Sequence, residues 1–172
     1  MDDVGLLARM RALENSVRAL EDRSGIEQLF YHYGMAIDYG HADAFLDLFV
    51  ADAIFELRYR PGMVPRAYGS RAGADGRVVY RGREMLRAFI AGHTHAPDVY
   101  HKHIVTGIDI VLAGMAADCS SYFLRVDAMP AAGATASAGI VAAGRYLDHV
   151  VRGADGKWRF GSRVAEIELQ GR

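Results

Sequence analysis

Residues 24–40, SGIEQLFYHYGMAIDYG, decide the fold. Ser24 and Glu27 stand at the spacing of a capping box, in which the serine caps a helix start and the glutamate reaches back to it. The spacing predicts a helix that begins there and ends at Gly40, a residue that tolerates positive φ. At about 100° per residue, Ile26, Leu29, Phe30, Tyr33, Ala36 and Ile37 gather on one side. A helix this apolar on one face must lay that face on another layer. Asp38 falls about 120° from Ile26 on the same wheel, at the edge of the buried face.

Upstream, Leu6, Met10, Leu13, Val17 and Leu20 form a narrow heptad-like stripe, with Arg9, Arg11, Glu14, Arg18 and Glu21 on the other faces. Three heptads cannot sustain a lone coiled coil, so the stripe packs either on the body or on a neighbouring subunit. Residues 1–22 thus read as an N-terminal amphipathic helix and residues 23–172 as one domain. Downstream, Ala42 to Phe49 reads as a short helix and Ile54 to Tyr59 as a strand. Arg60 to Gly76, with two Pro and four Gly, reads as a long loop, a lid or a surface segment. A short strand, Arg77 to Tyr80, and a helix, Glu84 to Ala91, follow. The rest is β: Tyr100 to Leu112, Ala116 to Ala128, Ala138 to Val151 and Lys157 to Gln170. Gly114, the Met129 to Thr135 segment and Asp155-Gly156 supply the turns. Helices first, then a meander of long strands, give an α+β domain with a curved sheet packed on helices.

Composition bounds the function. The 172 residues suit a single core, and 51% hydrophobic with 24% charged content excludes disorder. Twenty basic against twenty-one acidic residues give a net charge of −1, which argues against a nucleic-acid partner. Cys119 is the only cysteine, so internal disulfides and cysteine-based zinc sites are out and a reducing compartment is expected. The charged N-terminus resembles neither a signal nor a transit peptide, and no apolar run approaches the ~20 residues of a membrane span. The expectation is a cytoplasmic protein without membrane or nucleic-acid partners.

Four histidines, His93, His95, His101 and His103, fall within eleven residues. Imidazole is the commonest metal ligand, yet no glutamate follows at a matching spacing, so no metal is expected. His93 and His95 read as surface loop. Strand alternation puts His101, His103 and Val105 on one face and Tyr100, Lys102 and Ile104 on the other. Lys102 prefers water, so the histidines face inward. A buried histidine needs a partner, and a carboxylate can orient one ring nitrogen while the other acts as a base. Asp38 is a candidate for that partner, the alternative being a structural histidine with Asp38 capping the next turn.

From Ile26 onward the chain resembles the SnoaL-like branch of the nuclear transport factor 2-like superfamily, which includes scytalone dehydratase, lindane dehydrochlorinase and bile-acid dehydratase. The carrying residues are Ile26, Leu29, Tyr33 and Asp38-Tyr39-Gly40, then Leu48-Phe49 with Asp52-Ala53. His103-Ile104-Val105-Thr106-Gly107, Gly144-Arg145-Tyr146 with Asp148, and Asp155-Gly156 with Trp158 and Phe160 complete the set. The resemblance implies a cone-shaped α+β barrel: N-terminal helices wrapped by a strongly curved mixed, mostly antiparallel sheet enclosing a pocket. It also implies a metal-free, cofactor-independent Asp–His dyad at Asp38 and His103, and a tyrosine beside them at Tyr33. Tyr31, only about 20° from Asp38 on the helical wheel, is the rival. An arginine at the Arg145 position lines the cavity of dehydrochlorinase-like relatives. Arg145 is therefore either an anion clamp, with His149 beside it, or half of a surface salt bridge. Arg163 and His101 complete the candidate substrate-binding set.

These residues point to a lyase that removes a proton from a hydrophobic, aromatic or polycyclic, oxygenated substrate, with loss of water or a related carbon–carbon cleavage. An isomerase, a polyketide-type cyclase or a non-catalytic binding domain are the alternatives on the same fold. A homo-oligomer, dimer or trimer, is expected from the N-terminal stripe and from relatives.

Overall fold

The computed structural model describes residues 3–129 and 137–171. Helix α1 (Asp3–Asp38) is followed by α2 (Ala42–Asp47), β1 (Phe49–Tyr59), β2 (Arg77–Arg81) and α3 (Gly82–Gly92). Four long strands close the order: β3 (Tyr100–Ala113), β4 (Ala116–Met129), β5 (Ser137–Arg152) and β6 (Trp158–Gln170). The six strands form one curved, open sheet in the order β2-β1-β6-β5-β4-β3, with β2 and β3 as its edges. Every pairing is antiparallel except β1 with β6. Extra residues at register breaks in β3, β5 and β6 mark the bulges that bend the long strands. The expected α+β architecture with a mixed, mostly antiparallel sheet is the observed one.

Three elements differ from expectation, one of them β1, which starts at Phe49 rather than Ile54. No helix begins at Ser24: a single helix runs unbroken from Asp3 to Asp38, about 54 Å at 1.5 Å per residue. Flanking Leu, Arg, Glu and Ala favour helix strongly enough to carry it through Ser24 and Gly25, where a glycine costs only about 1 kcal/mol. Gly25 is there for space, since a Cβ would lie 3.0 Å from the Trp158 ring. The same tryptophan donates from Nε1 to Asp22 at 3.3 Å, and Arg152 pairs with Asp22 at 3.0 Å. The remaining difference is the short helix, which stops at Asp47 rather than Phe49. Phe49 already pairs with Phe160 as the first residue of β1.

From Ile26 to Ile37 the inner face of α1 packs into the concave side of the sheet. There Phe30, Tyr33, Phe45, Phe49, Phe55, Phe89 and Phe160 form a continuous aromatic core. Before Asp22 the helix leaves the body, and the stripe Leu6, Met10, Leu13, Val17 and Leu20 is 47–67% exposed. The stripe therefore does not pack on its own domain. No helix among the described residues is long and apolar enough to cross a membrane.

Candidate active site

The last residue of α1 faces an edge strand. β3 has β4 on one side only, so its outward amides need other partners. Asp38 supplies one: the His103 backbone N–H donates to both carboxylate oxygens, at 3.2 and 3.1 Å. The His103 ring meets the same carboxylate, Nδ1 to Oδ1 at 2.6 Å. Asp38 therefore fixes both the backbone and the ring of His103, and Nε2 remains for a ligand. The chain ends α1 here because Gly40 takes φ +66°.

His101, two residues earlier on the same face, is fully buried with Nε2 3.4 Å from Asp38 Oδ1, and neither ring nitrogen has a well-aligned partner. His93 joins them. It was expected in a surface loop but is buried at the end of α3, its ring 5.2 Å from His101 and 5.6 Å from His103. The reason is Tyr68 and Phe89, whose rings pack on His93 at 4.9 and 5.5 Å and cover it. Burial pushes all three imidazoles below the ordinary histidine range, His101 to about 4. Arg125 adds to the shift in each, so all three rings are neutral near pH 7. Asp38, His101 and His103 each offer a ligand atom within 4.8 Å of the others. Asp38 is nevertheless already engaged by two N–H groups of His103, and a cation would have to displace the ring contact.

His103, Tyr33, His93, Tyr68 and Arg125 share a cavity with Ile37, Phe55, Leu57, Phe89, Phe123, Tyr146 and Ile167. It has about 70 Å³ of room for water centres. At ~10–15 Å³ per site this is roughly five waters, the bulk of one or two six-membered rings. At the cavity floor Tyr33 and Tyr146 stand edge to face, 6.0 Å between centroids. Burial raises the Tyr33 hydroxyl to about 12, which keeps it a donor. Beneath them Arg163 is fully buried, paired with Asp148 at 2.7 and 3.0 Å, its guanidinium 4.0–5.0 Å from the rings of Phe30, Tyr33, Tyr146 and Phe160. Arg163 backs the tyrosines and does not line the cavity.

None of the five residues expected to bind substrate lines the cavity: Arg163 and His101 are buried behind its wall, and Arg145, His149 and Tyr31 lie on the outside. The alternation of β5 holds, but Tyr146, Asp148 and Val150 take the inside, so Arg145 and His149 point outward. Arg145 pairs with Glu166 across the outer face at 2.5 Å, and His149 with Asp118 at 2.8 Å. Tyr31 is 56% exposed on the outer side of α1, because the buried face is centred near Tyr33. The sequence reading missed Arg125, Tyr68 and Tyr146. Arg125 could have been found: it is in phase with the inward Cys119, Ser121 and Phe123 on β4.

The model of the SnoaL-like domain family matches residues 18–164. The chain belongs to the SnoaL-like family. Solved structures agree in fold with this SnoaL-like protein. An NTF2-like protein of Novosphingobium aromaticivorans with a cystatin-like fold is 23% identical over 97% of this chain and 90% of its own, with a TM-score of 0.67. A candidate scytalone dehydratase of the same organism is 22% identical over 91% and 90%, TM-score 0.65. ActVI-ORFA of Streptomyces coelicolor is 18% identical over 85% and 96%, TM-score 0.62. At these identities the likeness is one of fold. No curated protein matches the SnoaL-like chain in sequence.

Proposed function

We propose that this SnoaL-like protein is a cofactor-independent lyase of the dehydratase kind, acting on a hydrophobic, oxygenated ring compound. One observation carries the reading: an imidazole oriented by a buried carboxylate at 2.6 Å, on the wall of an apolar cavity. His103 Nε2 takes a proton from a substrate carbon made acidic by a neighbouring group, and the C–H electron pair forms the new double bond. The C–O bond to the departing hydroxyl breaks, and His103 returns its proton to that oxygen, so the net change is loss of one water. Tyr33, protonated and lining the cavity, is the donor to the leaving oxygen. The candidate scytalone dehydratase of like fold supports this class of reaction. Returning the proton to a second carbon instead would give an isomerase from the same parts.

A positioned general base contributes about 10²- to 10⁴-fold. In a screen of hydroxylated cyclic ketones, His103→Ala and Asp38→Asn are each expected to lower turnover by about that factor with the fold retained by circular dichroism. Full activity in either variant on a genuine substrate removes the dyad. Activity lost to a chelator and restored by a divalent metal would replace it with a metal mechanism.

A further inference from the structure

We infer that Arg125 is the oxyanion-binding residue of this cavity, so that the substrate carries an enolisable carbonyl whose oxygen docks on Arg125 Nη1. The inference rests on the reading of His103 as base and adds the group that must acidify the carbon.

Arg125 stands directly opposite His103 in the β3–β4 ladder and on the same face. Cross-strand pairs of this kind hold their Cβ atoms about 5 Å apart, so one small molecule spans both side chains. The guanidinium is held in place on two sides. Nε donates to Asp127 Oδ1 at 2.7 Å, and Nη2 donates to Asp127 Oδ2 and to Thr94 Oγ1, each at 3.0 Å. Among the described residues, the one well-aligned partner of Nη1 is His93 Nε2, at 3.5 Å, with the Tyr68 hydroxyl beside the guanidinium. That contact also has a defined sense. His93 Nδ1 lies 2.8 Å from the Thr94 carbonyl oxygen, which can only accept, so the proton sits on Nδ1 and Nε2 carries the lone pair. The lone pair takes one Nη1 hydrogen and leaves the second for the cavity that Arg125 and Tyr68 both line.

Charge bookkeeping points to an oxygen that gains charge during the reaction. Asp127 already offsets the guanidinium, so the wall does not demand a permanent anion. When His103 takes the proton, its new charge is met by Asp38, and the enolate oxygen meets Arg125. A preorganised donor aimed at developing charge in a water-poor site is the strongest device such a cavity has.

4-Nitrophenol tests this without turnover. It is a single substituted ring, titrates near neutrality, and its phenolate has the charge and shape of an enolate. The full chain is expected to bind the phenolate about tenfold to a hundredfold more tightly than the phenol, the span of a hydrogen bond to a charged group. Absorbance titration at several pH values reads the ratio. His103→Ala should keep the preference. The double variant Arg125→Met with Asp127→Asn, which leaves no lone buried charge, should lose it. Arg125→Lys, which keeps the charge but not the Nη1 edge, should weaken it severalfold and serves if the double variant does not fold. No phenolate preference in the unaltered protein, no binding at millimolar phenolate, or a preference that follows His103 rather than Arg125 overturns the inference. Failure of the base reading shows separately, as full turnover in His103→Ala.

Discussion

The imidazoles of His93, His101 and His103 are within ring contact of one another, yet they can coexist because none of them is charged. Each has its folded pKa below the ordinary 6.5, through burial first and the Arg125 charge among the further causes. Below pH 6.5 the unfolded chain binds protons that the folded one refuses, so stability present above that pH is lost as pH falls toward about 4. Urea midpoints measured between pH 7 and 4.5 should therefore fall with acid, and His101→Gln should flatten the decline. Catalysis has the same sign: the acid limb of kcat/KM should lie below the usual histidine value, since only neutral His103 is a base. The Asp38–His103 pairing was legible because two periodicities, 3.6 on the helix and 2 on the strand, each fixed one partner. Arg145 and His149 were misplaced because alternation says which residues share a face without saying which face is inside. His93 was misread because its cover, Tyr68, comes from a loop that follows no period.

At the scale of elements, the site depends on how closely α1 approaches β3. A Cβ at Gly34 would sit 3.3 Å from the His103 carbonyl oxygen. Gly34→Ala gains up to about 1 kcal/mol of helix preference and crowds the strand by a few tenths of an ångström. The expected outcome is a Tm little changed and a kcat reduced severalfold, as the His103 ring is pushed off Asp38. Gly144 is a harder limit, because a Cβ there runs into the Glu166 carbonyl oxygen of β6, and backbone cannot yield as a side chain does. Gly144→Ala should lose about 2–3 kcal/mol or more in denaturant unfolding. Most elements were readable in the chain because each long strand is bounded by a glycine or proline turn and alternates between its bulges. The join at Ser24 was misread because a capping pattern shows only that a helix could start there. Tertiary contacts of Gly25 and Asp22 with Trp158 and Arg152 decide that it continues.

For the molecule as a whole, the projecting part of α1 leaves an apolar stripe in water, and the outer face of the sheet adds Ile104, Val111 and Tyr122 to the exposed apolar surface. A homo-oligomer formed through that stripe is the expected state in solution. Leu13→Glu with Val17→Glu should reduce the mass seen by light scattering to one chain while leaving the near-ultraviolet spectrum of the core intact. An unchanged mass would put the contact elsewhere. The cone-like wrap itself was anticipated from family resemblance, because periodicity alone does not order strands within a sheet. That order has a further effect. β6, the last strand described, is not at the rim but between β1 and β5, and it supplies Ala165 and Ile167 to the cavity wall. During synthesis β1 and β5 therefore emerge without the neighbour that joins them, and a nascent chain stopped short of residue 158 holds two separate half-walls. The pocket is completed by this keystone strand, so removing residues 158–170 should abolish ligand binding all at once rather than by degrees.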